Sequence, residues 1–151
     1  MIRKILAAID GSEHAWKALD MAADIAKQHG ARLIVLHVVP VEPVSDSLRE
    51  FAAAEGLAME EEAARFHYAR TLGDQLTRSA EARCRDKGLT DIIGRTAEGR
   101  PADQILEAAR GDDVDIIVMG SRGLSDTRAL FLGSVSHKVA NHAACTCITV
   151  K

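Results

Sequence analysis

The spacing of apolar positions changes several times along the chain, and each change predicts a boundary. Ile2–Ile9 is a short apolar run with two basic residues near its start, and Asp10-Gly11-Ser12 breaks it. From Glu13 the spacing becomes helical, with Ala15, Ala18, Leu19, Ala22, Ile25 and Ala26 recurring on one face. Glu13, Lys17, Asp20, Asp24 and Lys27 fall mostly elsewhere on the wheel. Ser12 is a candidate N-cap and Gly30 a candidate C-terminal stop. Arg32–Val39 is almost continuously apolar, the pattern of a strand buried on both faces. Strand, helix and strand with tight stops between them make a βαβ unit, which predicts parallel strands joined by a right-handed crossover.

The alternation continues. Pro40–Ser47 carries two prolines and no period, and reads as a loop. Glu60–Asp86 is rich in Ala, Glu, Arg and Leu and predicts a long helix stopped at Gly88. Asp91–Thr96 reads as a short strand. Gly99-Arg100-Pro101 opens a further helix with proline in its first turn, and Ile105, Leu106, Ala108 and Ala109 form its buried face. Val114–Met119 is another buried strand, Gly120–Gly133 a loop, Ser134–Asn141 a helix and Cys145–Val150 the last strand. The order β-α-β-α-β-α-β-α-β predicts a doubly wound α/β fold: a five-stranded parallel sheet with helices on both faces, Rossmann-like in architecture.

Composition narrows the functional classes. The 151 residues read as a single domain, 1–151, and 47% hydrophobic residues suffice for one core. Nineteen basic against 22 acidic residues give a formal charge of −3, so no basic nucleic-acid footprint is expected. At 3% aromatics, a stacking platform for single strands is not expected either. No apolar run nears the roughly 18 residues of a membrane span. The first apolar stretch stops at Asp10, short of a secretory h-region. Three cysteines, Cys84, Cys145 and Cys147, are an odd count that argues against a disulfide framework. These features predict a reducing, cytoplasmic setting without membrane or nucleic-acid partners.

In open α/β sheets ligands bind beyond the carboxyl ends of the strands. Three such ends carry chemistry: Ala8-Ile9-Asp10-Gly11, His37-Val38-Val39-Pro40 and Met119-Gly120-Ser121-Arg122-Gly123. Gly120 and Gly123 flank a tight turn after a buried strand, and Gly133-Ser134 opens a helix further on. Glycines admit close approach of backbone N–H groups to an anion, and a helix start adds free donors and the positive end of its dipole. Ser134 and Ser136 add hydroxyls. Taken alone, Gly120-x2-Gly123 also fits an ordinary turn. The full spacing, Gly120-x2-Gly123-x9-Gly133-Ser134, reads instead as a phosphate cradle made from two segments. It matches neither a Walker loop nor the dinucleotide Gly-x-Gly-x-x-Gly signature.

This spacing, with Val114–Gly123 before it and Gly133–Val139 after it, resembles the universal stress protein family, in its ATP-binding branch. The opening Ile5–Ser12, the strand end Leu36–Val39 and Gly99-Arg100-Pro101 are similar to that family as well. The resemblance implies ATP with Mg²⁺ as ligand, the ion held mainly by phosphates. It implies that Ala8, Ile9 and Asp10 line the pocket, with Asp10 near ribose and phosphates, and that Val38 offers backbone groups to the adenine edge. It implies that Gly120, Ser121, Arg122 and Gly123 wrap ribose and phosphates, and that Gly133, Ser134, Val135 and Ser136 hold the phosphates. It further implies a homodimer paired through the last strand. That strand is expected at a sheet edge with only Lys151 to blunt it. Two departures stand out: Ala8 where many members carry proline, and Ala144-Cys145-Thr146-Cys147 before the last strand.

Other residues carry competing readings. Asp10 fits a pocket group or a turn residue bonding its own backbone. His37, inside an apolar strand, fits a hydrogen-bonded core histidine or a ligand. His137 and His142 are expected on the surface. Cys145 and Cys147 share a strand face and fit buried side chains better than a metal site, with no second Cys/His pair nearby. Trp16 and Phe131 are expected to pack, and Glu60–Glu62 to be a solvated helix face. Three functions stay open: a nucleotide-binding regulatory protein without catalytic residues, a slow ATPase or ATP-using enzyme of the same α/β class, and an interaction protein with a relic pocket. The His-x-Gly-His and Ser-Gly-Gly-x-Asp-Ser signatures of related enzymes are missing from the sequence.

Overall fold

The computed structural model describes residues 1–41, 45–57, 59–123 and 132–151. Its sheet grows from β1 (Lys4–Ala8), which pairs in parallel with β2 (Arg32–Pro40) on one side and with β4 (Ile116–Gly120) on the other. β3 (Ile92–Gly99) adds outside β2, and β5 (Thr146–Val150) outside β4. The order is β3-β2-β1-β4-β5, every pair parallel, so β3 and β5 are the edges, as the sequence predicts for the last strand.

Strand alternation divides the core. Ile5, Ala7, Ile9, Leu33 and Val35 point to the face covered by α1 (Glu13–His29) and α3 (Met59–Asp86). Leu6, Ala8, Ile34, Leu36 and Val38 point to the face covered by α4 (Pro101–Gly111) and α5 (Ser134–His142). α1 buries a stripe of Ala15, Ala18, Leu19, Ala22, Ala23 and Ala26, so small side chains let it approach the sheet. Its ends are as expected: the Ser12 side chain accepts from Ala15 N, and Gly30 takes the left-handed conformation at φ 63°. Pro101 occupies the first turn of α4.

The structure differs from expectation around residue 40. β2 continues through Pro40, whose Cα partner is Gly99, and β3 therefore runs to Gly99. A helix, α2 (Asp46–Ala54), then follows, capped by Ser45. The sequence reading passed over it, although Leu48, Phe51 and Ala52 recur at helical spacing; α2 buries none of its residues. The part of the Pro40–Ser47 loop spanning 42–44, and 124–131 of the loop after β4 with Phe131, lie outside the described residues. Trp16 packs against the α1/α3 core cluster, and Glu60–Glu62, His137 and His142 are exposed.

Candidate functional site at the strand-order reversal

From β1 the chain builds outward through β2 and β3, then returns to place β4 on the opposite side of β1. The connections leaving β1 and β4 therefore diverge, and a crevice opens beyond their carboxyl ends. A cavity of about 350 Å³ lies there. Apart from His37, its strand and α4 lining is apolar, from Ala8, Leu36, Val38, Pro40, Pro101, Ile105 and Met119. The connections add Asp10, Ser12, Gly120, Arg122, Gly123, Gly133, Ser134 and Ser136.

Eleven of the twelve residues singled out in the sequence border this one cavity: Ala8, Ile9, Asp10, Val38, Gly120, Arg122, Gly123, Gly133, Ser134, Val135 and Ser136. Ser121 does not. It is only 2% exposed, and its hydroxyl lies 3.1 Å from His14 Nδ1, beneath the turn rather than on its surface. Leu36, Pro40, Pro101, Ile105 and Met119 were missed. For Leu36 the signal was present, since strand period puts it on the same face as Val38. The α4 residues became lining only through the packing of α4 on β2, which no local pattern reveals.

Two glycines at the site are required by their neighbours. A Cβ at Gly120 would stand 2.9 Å from His14 Cβ and 3.0 Å from Ala15 N, in the first turn of α1. A Cβ at Gly123 would stand 2.8 Å from Asp10 Oδ2. The connections after β1 and β4 are thus in direct contact. Asp10 fulfils both of its readings: its carboxylate borders the cavity, and Oδ1 accepts from Ser12 N at 2.9 Å, as an aspartate in a turn does.

α5 begins at Gly133 without a side-chain cap, unlike α1, so its first turn presents backbone donors that no capping side chain occupies. Ser134 is exposed at this start. The Ser136 hydroxyl points inward instead, donating to Ser121 O at 2.8 Å with Gly133 O at 3.0 Å. Of the two serines expected to add hydroxyl donors, only Ser134 stands free of such an inward bond. The free donors at the start of α5 are therefore mainly backbone N–H groups rather than hydroxyls.

His37 also borders the cavity. Its Nδ1 lies 2.9 Å from Ile9 O, so it is the hydrogen-bonded histidine of the first reading. Its ring explains a glycine inside α3: a Cβ at Gly73 would come within 2.7 Å of His37 Cδ2.

The strongly perturbed groups sit elsewhere. The Arg83 guanidinium hydrogen-bonds Asp20 through Nε at 2.8 Å and a terminal nitrogen at 2.7 Å, and holds that carboxyl down at about 2. Burial pushes the Cys84 thiol up to about 11. Burial also raises the Cys145 and Cys147 thiols, which are half-buried and free. Among the described residues no three His, Cys, Asp or Glu side chains gather as a metal site. Among them, too, no helix is long and apolar enough to cross a membrane.

Comparison with known proteins agrees with this arrangement. The family model described as the universal stress protein family matches residues 1–151. The chain is 41% identical to a universal stress protein of Thermus aquaticus, encoded in the 3′ region of a QAH/OAS sulfhydrylase gene, over all of both chains. It is 35% identical to the universal stress protein YxiE of Bacillus subtilis (strain 168), again over all of both. Among solved structures, a universal stress protein in complex with cAMP superposes with a TM-score of 0.70 at 25% identity, covering 99% of this chain and 97% of that one. With the five-stranded doubly wound sheet and the glycine-lined crevice at its strand-order reversal, these matches establish that the chain belongs to the universal stress protein family.

Proposed function

We propose that the protein binds ATP with Mg²⁺ in the crevice and acts as a nucleotide-dependent regulatory module of a stress response in the cytoplasm. One observation carries the reading. Two glycine-serine segments, Gly120–Gly123 and Gly133–Ser136, end a strand and begin a helix on the rim of a single cavity. Phosphates fit there because the start of α5 offers backbone donors with the positive end of its dipole. The apolar side chains of β2 and α4 suit the flat faces of a base, and the backbone of Val38 suits its edge. The related structure with cAMP supports a nucleotide rather than another anion.

Asp10 is the one carboxylate on the lining among the described residues. A single carboxylate beside phosphates fits Mg²⁺, which keeps most of its ligands from phosphate and water. The ion would offset the repulsion between Asp10 and the phosphate chain. Ala8, Ile9 and Arg122 complete the ribose and phosphate walls. Turnover should stay far below the roughly 1–100 s⁻¹ of kinases, since the sequence carries no Walker lysine and no transferase signature.

Calorimetry with magnesium-ATP tests the reading. The parent chain should bind. Gly123→Val should lose binding by displacing Asp10 and blocking the turn, and Gly133→Val should crowd the start of α5. Equal affinity in all three proteins overturns the site.

The assembly belongs to the same reading: a homodimer paired through β5. Both edges offer open backbone groups, but β3 carries exposed Arg95 and Glu98, whereas β5 is Thr146-Cys-Ile-Thr-Val150. Charges blunt an edge and β-branched residues favour pairing. Two copies related by a two-fold axis satisfy both β5 edges at once. Sedimentation should show a dimer at micromolar concentration and a monomer for Ile148→Pro, with circular dichroism reporting whether that variant folds. A monomeric parent, or a folded Ile148→Pro dimer, overturns the interface.

A further inference from the structure

Ser121 is bonded to four residues of three elements at once. Its N–H donates to Val150 O at 2.7 Å, at the end of β5. Its carbonyl accepts from Gly133 N at 2.7 Å and from the Ser136 hydroxyl at 2.8 Å, at the start of α5. Its own hydroxyl meets His14 Nδ1 at 3.1 Å, in the first turn of α1. Both Ser121 and Ser136 are 2% exposed, so these bonds are shielded from water. The two phosphate-cradle segments, far apart in sequence, are joined through the carbonyl of this one residue.

His14 is the side chain that holds this junction from outside it. It follows the Ser12 cap by two residues, and its Cβ lies where only a glycine at 120 leaves room. His14 is half-buried and does not border the cavity. We propose that His14 is a positioning residue for phosphate-bearing ligands: by holding the Ser121 hydroxyl it fixes the Gly120–Gly123 turn against the start of α5. The inference rests on the nucleotide reading of the crevice. The bond survives either neutral tautomer, because a serine hydroxyl donates as well as it accepts. It needs only a polar atom at the Nδ1 position, which an asparagine amide supplies.

The test uses the full chain as parent, His14→Ala and His14→Asn. Magnesium-ATP and adenosine are titrated by calorimetry, and amide hydrogen exchange at Ser121 is followed by NMR without ligand. Losing one shielded hydrogen bond should weaken ATP binding by about fivefold in His14→Ala. Adenosine, which brings no phosphate to the turn, should change by less than about twofold. His14→Asn should restore the affinity for ATP, and Ser121 should exchange faster in His14→Ala only. Unchanged ATP affinity in His14→Ala overturns the inference. So does an equal loss for adenosine, or an asparagine variant as weak as the alanine one. A parent that binds no nucleotide overturns the reading of the crevice, and with it the ligand role of His14. Exchange at Ser121 then still decides the tether, and an unchanged rate in His14→Ala overturns that as well.

Discussion

The crevice between β1 and β4 and the overhang formed by α2 and the start of α3 are built in opposite ways. At the crevice, backbone meets backbone: Gly120 lies against the first turn of α1, Gly123 against Asp10, and Ser121 against three other elements. In the overhang, α2 buries nothing, and Leu48, Phe51 and Leu57 stand 56%, 57% and 59% exposed. On α3, burial begins only at Gly73, after an exposed Tyr68 and Leu72. Tertiary contact fixes the first region, while local capping and helix propensity alone fix the second.

The largest effect that separates them comes from one methyl group. Gly120→Ala puts a Cβ against His14 Cβ and the backbone of His14 and Ala15, which cannot move without shifting α1. Overpacking of this kind costs about 1–3 kcal/mol. Gly111→Ala is the control, because nothing lies within 4 Å of its added Cβ. Thermal denaturation should show a drop of roughly 2–4 °C per kcal/mol for the first variant and no drop for the second. Equal melting temperatures would mean that α1 does not bear on the end of β4.

An intermediate effect concerns the seam that fastens α1 to α3. Arg83 binds Asp20 through two nitrogens, lies 5.6 Å from the Trp16 ring centre, and Lys87 adds a contact at 3.2 Å. The folded carboxyl of Asp20 titrates at about 2 against an ordinary 3.8. A depressed carboxylate stabilises above its unfolded value and loses that contribution as pH falls through the folded one. Stability should therefore decline between about pH 4 and pH 2 in the parent, with Asp20 contributing about 1 kcal/mol. Asp20→Asn should be less stable at pH 7 by that amount and should converge on the parent at pH 2. Urea midpoints at the two pH values measure it, and a constant difference would assign the loss to packing instead.

The same contrast governs how much could be read in advance. α1 announced itself completely, because its cap, its alanine stripe and its closing glycine are all local. The alternation of strands and helices followed from the apolar runs, and the last strand was expected at an edge, where it lies. The rim of the crevice was legible in Gly120, Gly123, Gly133 and Ser134, and at the first two a close approach of neighbouring atoms leaves glycine as its trace. Three things were not legible. Ser121 read as a pocket residue because sequence shows adjacency and not which way a side chain turns. Gly73 read as nothing at all, because its reason is the ring of His37, 36 positions earlier. α2 is different: Leu48, Phe51 and Ala52 recur at helical spacing, but over only nine residues beside a proline-bearing loop, and the helix buries none of them.

The smallest effects should come from α2, and their smallness is the point. Phe51→Ser and Leu48→Ser remove apolar side chains that are already more than half exposed. Surface substitutions of this kind change global stability within about ±0.5 kcal/mol. Ser45→Ala sharpens the argument. Ser45 caps α2 by accepting from Leu48 N at 3.3 Å, and an N-cap contributes about 0.5–2 kcal/mol to the helix it starts. Were α2 packed on the sheet, that loss would appear in the global unfolding energy. Because α2 rests on its own hydrogen bonds, the loss should appear only as local opening. Amide exchange across Asp46–Ala54 should accelerate in Ser45→Ala while the urea midpoint stays within error of the parent. A shifted midpoint would show that α2 is coupled to the sheet, and the contrast with the crevice would fall.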